Sequence, residues 1–214
     1  MDQFQPNTRF SIFPPAIKYL LIANAIVFLV TKSIFTGAWT PLGAVLAQNF
    51  ALWSIGNGFM PWQLFSYMFL HADMGHLFFN LLALWIFGQS IELLWGTRRF
   101  ITYYILTGMG AAVIHMIVSG YFTYTIGASG AVFGILLAFG MMFPNQYIIL
   151  LFPPIPIKAK YFVGIYGGIE LLSGLTRPDS GVAHFAHLGG LFVGFILIRS
   201  VSYTHLTLPT TRHV

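Results

Sequence analysis

The chain has 214 residues, of which 57% are hydrophobic and only 7% charged; soluble domains carry about 25% charged residues, so a water-soluble globule is excluded and a single membrane domain is expected. The formal charge of +5 comes from Lys and Arg scattered between apolar runs, with no basic stripe of the kind that binds nucleic acid. Cysteine is absent, which removes disulfides and thiolate metal sites.

Residues 1–15 are mixed polar and proline-containing, without a cleavable-signal pattern, and read as a cytoplasmic N-terminal segment. Six apolar runs then approach the length a bilayer demands, about 17–25 residues. They fall at 16–31, 75–94, 100–118, 127–143, 157–172 and 183–199, the fourth and fifth being short or interrupted. The expected fold is therefore an all-α polytopic bundle of six transmembrane helices over 16–199, with a long connection between helices one and two. That connection, 32–70, is rich in Trp, Phe and Gly, which suits a folded loop half sunk in the headgroup layer. Pro144 and Asn145 end the fourth run, and the stretch 147–157, with Pro153, Pro154 and Pro156, reads as a connector. Residues 200–214 turn abruptly Thr-rich and polar around Pro209, and are expected to be a disordered or non-native tail.

Cations set the orientation. With the N-terminus inside, Arg9, Lys18, Arg98, Arg99, Lys158, Lys160, Arg199 and Arg212 are cytoplasmic, leaving Lys32 and Arg177 outside. This bias puts both termini in the cytoplasm. Helices two, four and six then all run inward from the outer face. His76 and Asn80 lie in the first two turns of helix two, Ser129 in the first of helix four, and His187 in the second of helix six. At 1.5 Å per residue all four stand within roughly 10 Å of their outer helix ends. Singly, each has a plain structural reading: small-residue packing for Ser129, an interhelical hydrogen bond for the others. Their convergence at one depth is what suggests a site.

The glycines say how the helices could meet. Gly130 and Gly134 stand one turn apart, as do Ala186, Gly190 and Gly194, and small residues at every fourth position allow close backbone approach. His187 shares the face of Gly190 and Gly194. A serine hydroxyl needs a base to take its proton, and neutral His187 qualifies. No aspartate stands where it could orient His187, so a dyad is expected rather than a triad. Glu92 and Glu170 read as helix-end hydrogen-bond partners, and His71, His115 and His184 as structural or interfacial.

His76-Leu77-Phe78-Phe79-Asn80, Gly127-Ala128-Ser129-Gly130 and Ala186-His187-Leu188-Gly189-Gly190 with Gly194 resemble the signatures of the rhomboid intramembrane serine proteases. The resemblance covers about residues 61–198 and includes Phe69-Leu70-His71. It implies the minimal six-helix form, a catalytic Ser129–His187 dyad, and an oxyanion site made by the Ser129 backbone N–H with His76 and Asn80. Phe133 matches the position whose ring packs on the dyad histidine. Trp62-Gln63 stands where the family often has Trp-Arg. The expected function is an intramembrane serine endopeptidase that cuts transmembrane substrate helices near their outer end, without a cofactor. The expected location is a bacterial inner membrane with the site open to the outer side; the expected partners are transmembrane protein substrates and the lipid bilayer. The rival within the family is an inactive rhomboid-like protein that binds membrane clients. A metalloprotease reading lacks His-Glu-x-x-His, an aspartyl reading finds Asp2, Asp73 and Asp179 all outside the spans, and a transporter reading lacks charge-backed helix breaks.

Overall fold

The structure is a computed structural model that describes residues 12–33, 36–120, 124–150, 153–177 and 181–206. Its helices are α1 (Pro15–Thr31), α2 (Pro41–Phe50), α3 (Gln63–Ser66), α4 (Met74–Trp95), α5 (Thr97–Ser119), α6 (Ser129–Met142), α7 (Ala159–Thr176) and α8 (His184–Leu206). Each of the six apolar runs thus holds one helix. By length and composition α4 and α5 could cross a membrane; α1, α6 and the stretch His184–Ser200 are shorter apolar helices. The last helix, α8, runs to Leu206; residues 207–214, and most of the N-terminal segment, lie outside the described residues.

The short α6 is the axis of the bundle. It packs against α4, α5, α7 and α8, and α8 in turn lies along both α5 and α6. Ala131, Ile135, Ala138 and Phe139 of α6 are buried on several sides at once, as an apolar helix without a polar face must be. The outer flanks of α1, α4 and α7 are the reverse of a soluble surface: Ile26, Leu29, Phe79, Ile169 and Leu172 all stand exposed.

One buried carboxylate is bonded where the backbone needs it. The Glu92 carboxylate, 2% exposed, accepts from the Ala16 and Ile17 backbone N–H groups at 2.8 and 2.9 Å and from Thr97 Oγ1 at 2.6 Å. It serves the unpaired donors at the start of α1 while tying α1 to the α4–α5 corner.

The connection 32–70 is more structured than its composition suggested. Besides α2 and α3 it contributes β1 (Leu52–Trp53), which pairs antiparallel with β2 (Tyr124–Thr125), Leu52 opposite Thr125. Gln63 is fully buried and knits this region: its Oε1 accepts from the Trp53 and Met60 N–H groups, and its Nε2 donates to the Asn49 and Gly58 carbonyls. In the proline-bearing stretch after α6, β3 (Tyr147–Ile149) pairs antiparallel with β4 (Pro156–Lys158).

Candidate active site

Three helix starts meet in one place, and each is built for it locally. At α4, Asp73 caps the helix by accepting from the His76 N–H at 2.8 Å. This seats His76 in the first turn with its Nδ1 3.4 Å from the Ala72 N–H, which donates to it. An Nδ1 that accepts leaves the neutral ring's proton on Nε2.

At α6, the residues before the helix are pinned to the loop. The Gly127 N–H donates to the Tyr67 carbonyl at 2.9 Å, while Thr125, paired with Leu52, bonds His115 Nε2 at 2.9 Å. Gly127 has φ +123°, a region closed to most side chains. A Cβ there would also lie 2.7 Å from His76 Nε2 and 3.8 Å from Ser129 Oγ. The His76 ring therefore lies against the bare backbone of Gly127, two residues before Ser129. Ser129 opens α6, and no side chain caps the helix, so the N–H groups of its first turn remain available beside the hydroxyl.

At α8, His187 is buried and its Nε2 lies 2.7 Å from Ser129 Oγ. Its ring stacks on Phe133 at 4.5 Å between centroids and 7° between planes, which fixes its rotation. Gly190 makes the approach possible: a Cβ there would run into the Gly130 carbonyl oxygen, with the carbonyl carbon only 2.8 Å away. One turn on, a Cβ at Gly194 would meet the Tyr103 hydroxyl and, at 3.4 Å, the Gly134 Cα.

Asn80 is buried one turn below His76. Its Nδ2 donates to the His76 carbonyl at 2.8 Å, and its Oδ1 has no partner among the described residues. One amide hydrogen is thus spent within α4. His71, outside the helix, is fully buried with its ring edge against His76 at 5.1 Å. Burial pushes its pKa down to about 3, so it stays neutral.

Glu170 departs from the sequence reading. Rather than only ending a helix, its Oε2 lies 2.6 Å from His184 Nδ1 and 3.0 Å from His187 Nδ1. A carboxylate does stand behind the histidine, a glutamate of α7 rather than an aspartate. The pairing of β1 with β2, which braces the serine loop, was invisible in sequence. Its strands are two residues long, and Leu52 and Thr125, which face each other, are far apart in the chain.

Chemically, the site offers a hydroxyl in contact with an imidazole base, and N–H donors from His76 and a helix start alongside. The Rhomboid domain family model matches residues 58–204. The chain is 30% identical over 201 residues to the rhomboid protease GluP of Bacillus subtilis, covering 89% of this chain and 36% of that protein. It is 30% identical over 159 residues to the rhomboid protease AarA of Providencia stuartii, covering 66% and 56%. It is 28% identical over 207 residues to mitochondrial rhomboid protein 1 of Saccharomyces cerevisiae, covering 91% and 56%. The chain thus spans between a third and three-fifths of the length of these relatives. With the three motifs gathered into one site and the domain match spanning them, this chain belongs to the rhomboid family.

Proposed function

We propose that the protein is an intramembrane serine endopeptidase that hydrolyses transmembrane substrate helices near their outer ends. The observation that carries this reading is the 2.7 Å contact between His187 Nε2 and Ser129 Oγ. In acylation the Ser129 proton passes to His187 Nε2 as Oγ bonds to the scissile carbonyl carbon. The C–N bond then breaks, and the leaving amine takes the proton from Nε2. In deacylation a water oxygen bonds to the acyl carbon as its proton passes to His187 Nε2, and the acyl–Oγ bond then breaks as Nε2 returns that proton to Oγ. The oxyanion is held by the Ser129 N–H, by His76 Nε2–H and by the Asn80 amide hydrogen not spent within α4. Such donors are typically worth about 10²–10³ in rate each.

Phe133, Gly190 and Gly194 hold His187 against α6. The chain crosses the bilayer six times, through α1, α4, α5, α6, α7 and α8, with both termini cytoplasmic and the site open to the outer side of a bacterial inner membrane. The cation bias and the exposed apolar flanks of α1, α4 and α7 support this. Substrate helices must unwind locally, since a helical backbone shields its carbonyls. The test is cleavage of a model transmembrane substrate by purified protein: Ser129→Ala and His187→Ala, both folded, should lose it. Wild-type cleavage by Ser129→Ala would sink the serine mechanism, and a wild-type protein that binds the substrate without cleaving it would leave client binding.

A further inference from the structure

The contacts at His187 exceed what a dyad requires. Its Nε2 faces Ser129, its ring face lies on Phe133, and its Nδ1 is 3.0 Å from Glu170 Oε2, both side chains being only 11–13% exposed. We propose that Glu170 is a positioning residue for His187: its carboxylate holds the ring's Nδ1–H and leaves Nε2 as the atom that takes the Ser129 proton.

An ionised carboxylate only accepts hydrogen bonds, so it selects the Nδ1–H tautomer and presents the Nε2 lone pair to the serine. When Nε2 gains the proton the ring becomes cationic, and the same carboxylate stabilises it where water is scarce. Glu170 stays deprotonated throughout and forms no covalent bond. The contact is short but off the N–H axis. Such looseness is common before substrate binds.

Two features aim the carboxylate. His184, three residues before His187 and on the same face of α8, bonds the same Oε2 at 2.6 Å and so holds the Glu170 side chain. Gly174, one turn beyond Glu170, lets α7 come close: a Cβ there would lie 3.2 Å from His184 Cβ and 3.3 Å from the Phe185 ring. His184 acts through Glu170, not on the serine.

The proposal rests on the Ser129–His187 reading, and the experiment separates the two. Purified full-length wild type, Ser129→Ala, Glu170→Gln, Glu170→Ala, Glu170→Asp and His184→Ala are compared for kcat and KM at matched folded fraction. A glutamine amide can donate to Nδ1 and impose the wrong tautomer, an effect that reaches about 10⁴-fold in serine-protease triads. Glu170→Gln should therefore lose about 10²-fold or more in kcat with KM little changed. Glu170→Ala, free of the wrong-tautomer effect, should lose less than Glu170→Gln, and Glu170→Asp should recover at least about tenfold. His184→Ala cuts the same α7–α8 tie but spares the Glu170–His187 contact, and should lose less than about tenfold. Wild-type kcat in Glu170→Gln and Glu170→Ala would overturn the proposal, as would equal losses in Glu170→Gln and His184→Ala, which would mark a mere helix strap. The three groups lie within 4.8 Å of one another and could also ligate a cation. Activity lost on EDTA dialysis and restored by Zn²⁺ would overturn the proposal too; EDTA-insensitive activity is expected. An active Ser129→Ala would instead sink the underlying Ser129–His187 reading, whatever Glu170 does.

Discussion

Gly190→Ala is the smallest change that should pull serine and histidine apart. The added methyl would overlap the Gly130 carbonyl, whose carbon is 2.8 Å from the Cβ position. That obstacle is backbone adjoining Ser129, so no side chain can swing aside. Restoring ordinary contact requires the carbonyl carbon to retreat by about 0.6 Å and its oxygen by more, in an interior with no slack. Such a retreat takes the 2.7 Å Ser129–His187 contact to or beyond the limit of a hydrogen bond. Overpacking of this kind costs about 1–3 kcal/mol in stability. Misplacing reacting groups by about 1 Å costs on the order of 10²-fold in rate. The expected result is a loss of about 10–10² in kcat/KM for Gly190→Ala, deeper for Gly190→Leu, with both variants still inserted. Phe195→Leu, on an exposed face of the same helix, should be mild. The assay is cleavage of a transmembrane substrate at matched folded fraction. Wild-type kcat/KM in Gly190→Ala would show that α6 and α8 do not bear on each other there, and the proposed geometry would fall.

Three further outcomes follow from named contacts. Asn80→Ala should lower kcat by about 10²-fold with KM nearly constant, because its free amide hydrogen acts in the transition state; a raised KM at unchanged kcat would make it a packing residue. Gln63→Ala removes a buried amide bonded to four backbone groups, and should cost about 1–3 kcal/mol, read as a lower Tm; an unchanged Tm would show that the loop does not depend on it. His71 has a folded pKa of about 3 against 6.5 for the free group. The unfolded chain therefore binds the extra proton between those values, and stability present above pH 6.5 is lost as pH falls toward 3, by up to about 1.4 kcal/mol per unit. The Tm difference between pH 7 and pH 5 should shrink in His71→Phe, and an undiminished difference would refute the assignment.

What could be read in sequence was local and periodic. Ser129, His187 and His76 announced themselves because each lies near the start of an apolar run, and the fourfold glycine spacing marked the faces of α6 and α8 that meet. Glu170 was visible as a residue but not as a neighbour of His187. Its role depends on the rotation of α7 about its axis and on the approach allowed by Gly174, which no periodicity in an interrupted run specifies. The tautomer of His76 likewise depends on one N–H, that of Ala72, four residues away in a loop. Gln63 looked like the loss of an arginine; only the fold reveals that a neutral amide can satisfy four backbone groups of the surrounding loop. The β3–β4 pairing was hidden by prolines that suit edge strands and turns as well as they suit coil.

The central claim is that His187 activates Ser129, and a serine-directed fluorophosphonate tests it most directly. Intact mass of the purified protein should rise by one adduct, and peptide sequencing should map that adduct to Ser129. Labelling should vanish in Ser129→Ala and fall sharply in folded His187→Ala. An unlabelled wild-type protein with intact proteolysis, an adduct on another serine, or undiminished labelling in His187→Ala would contradict the account.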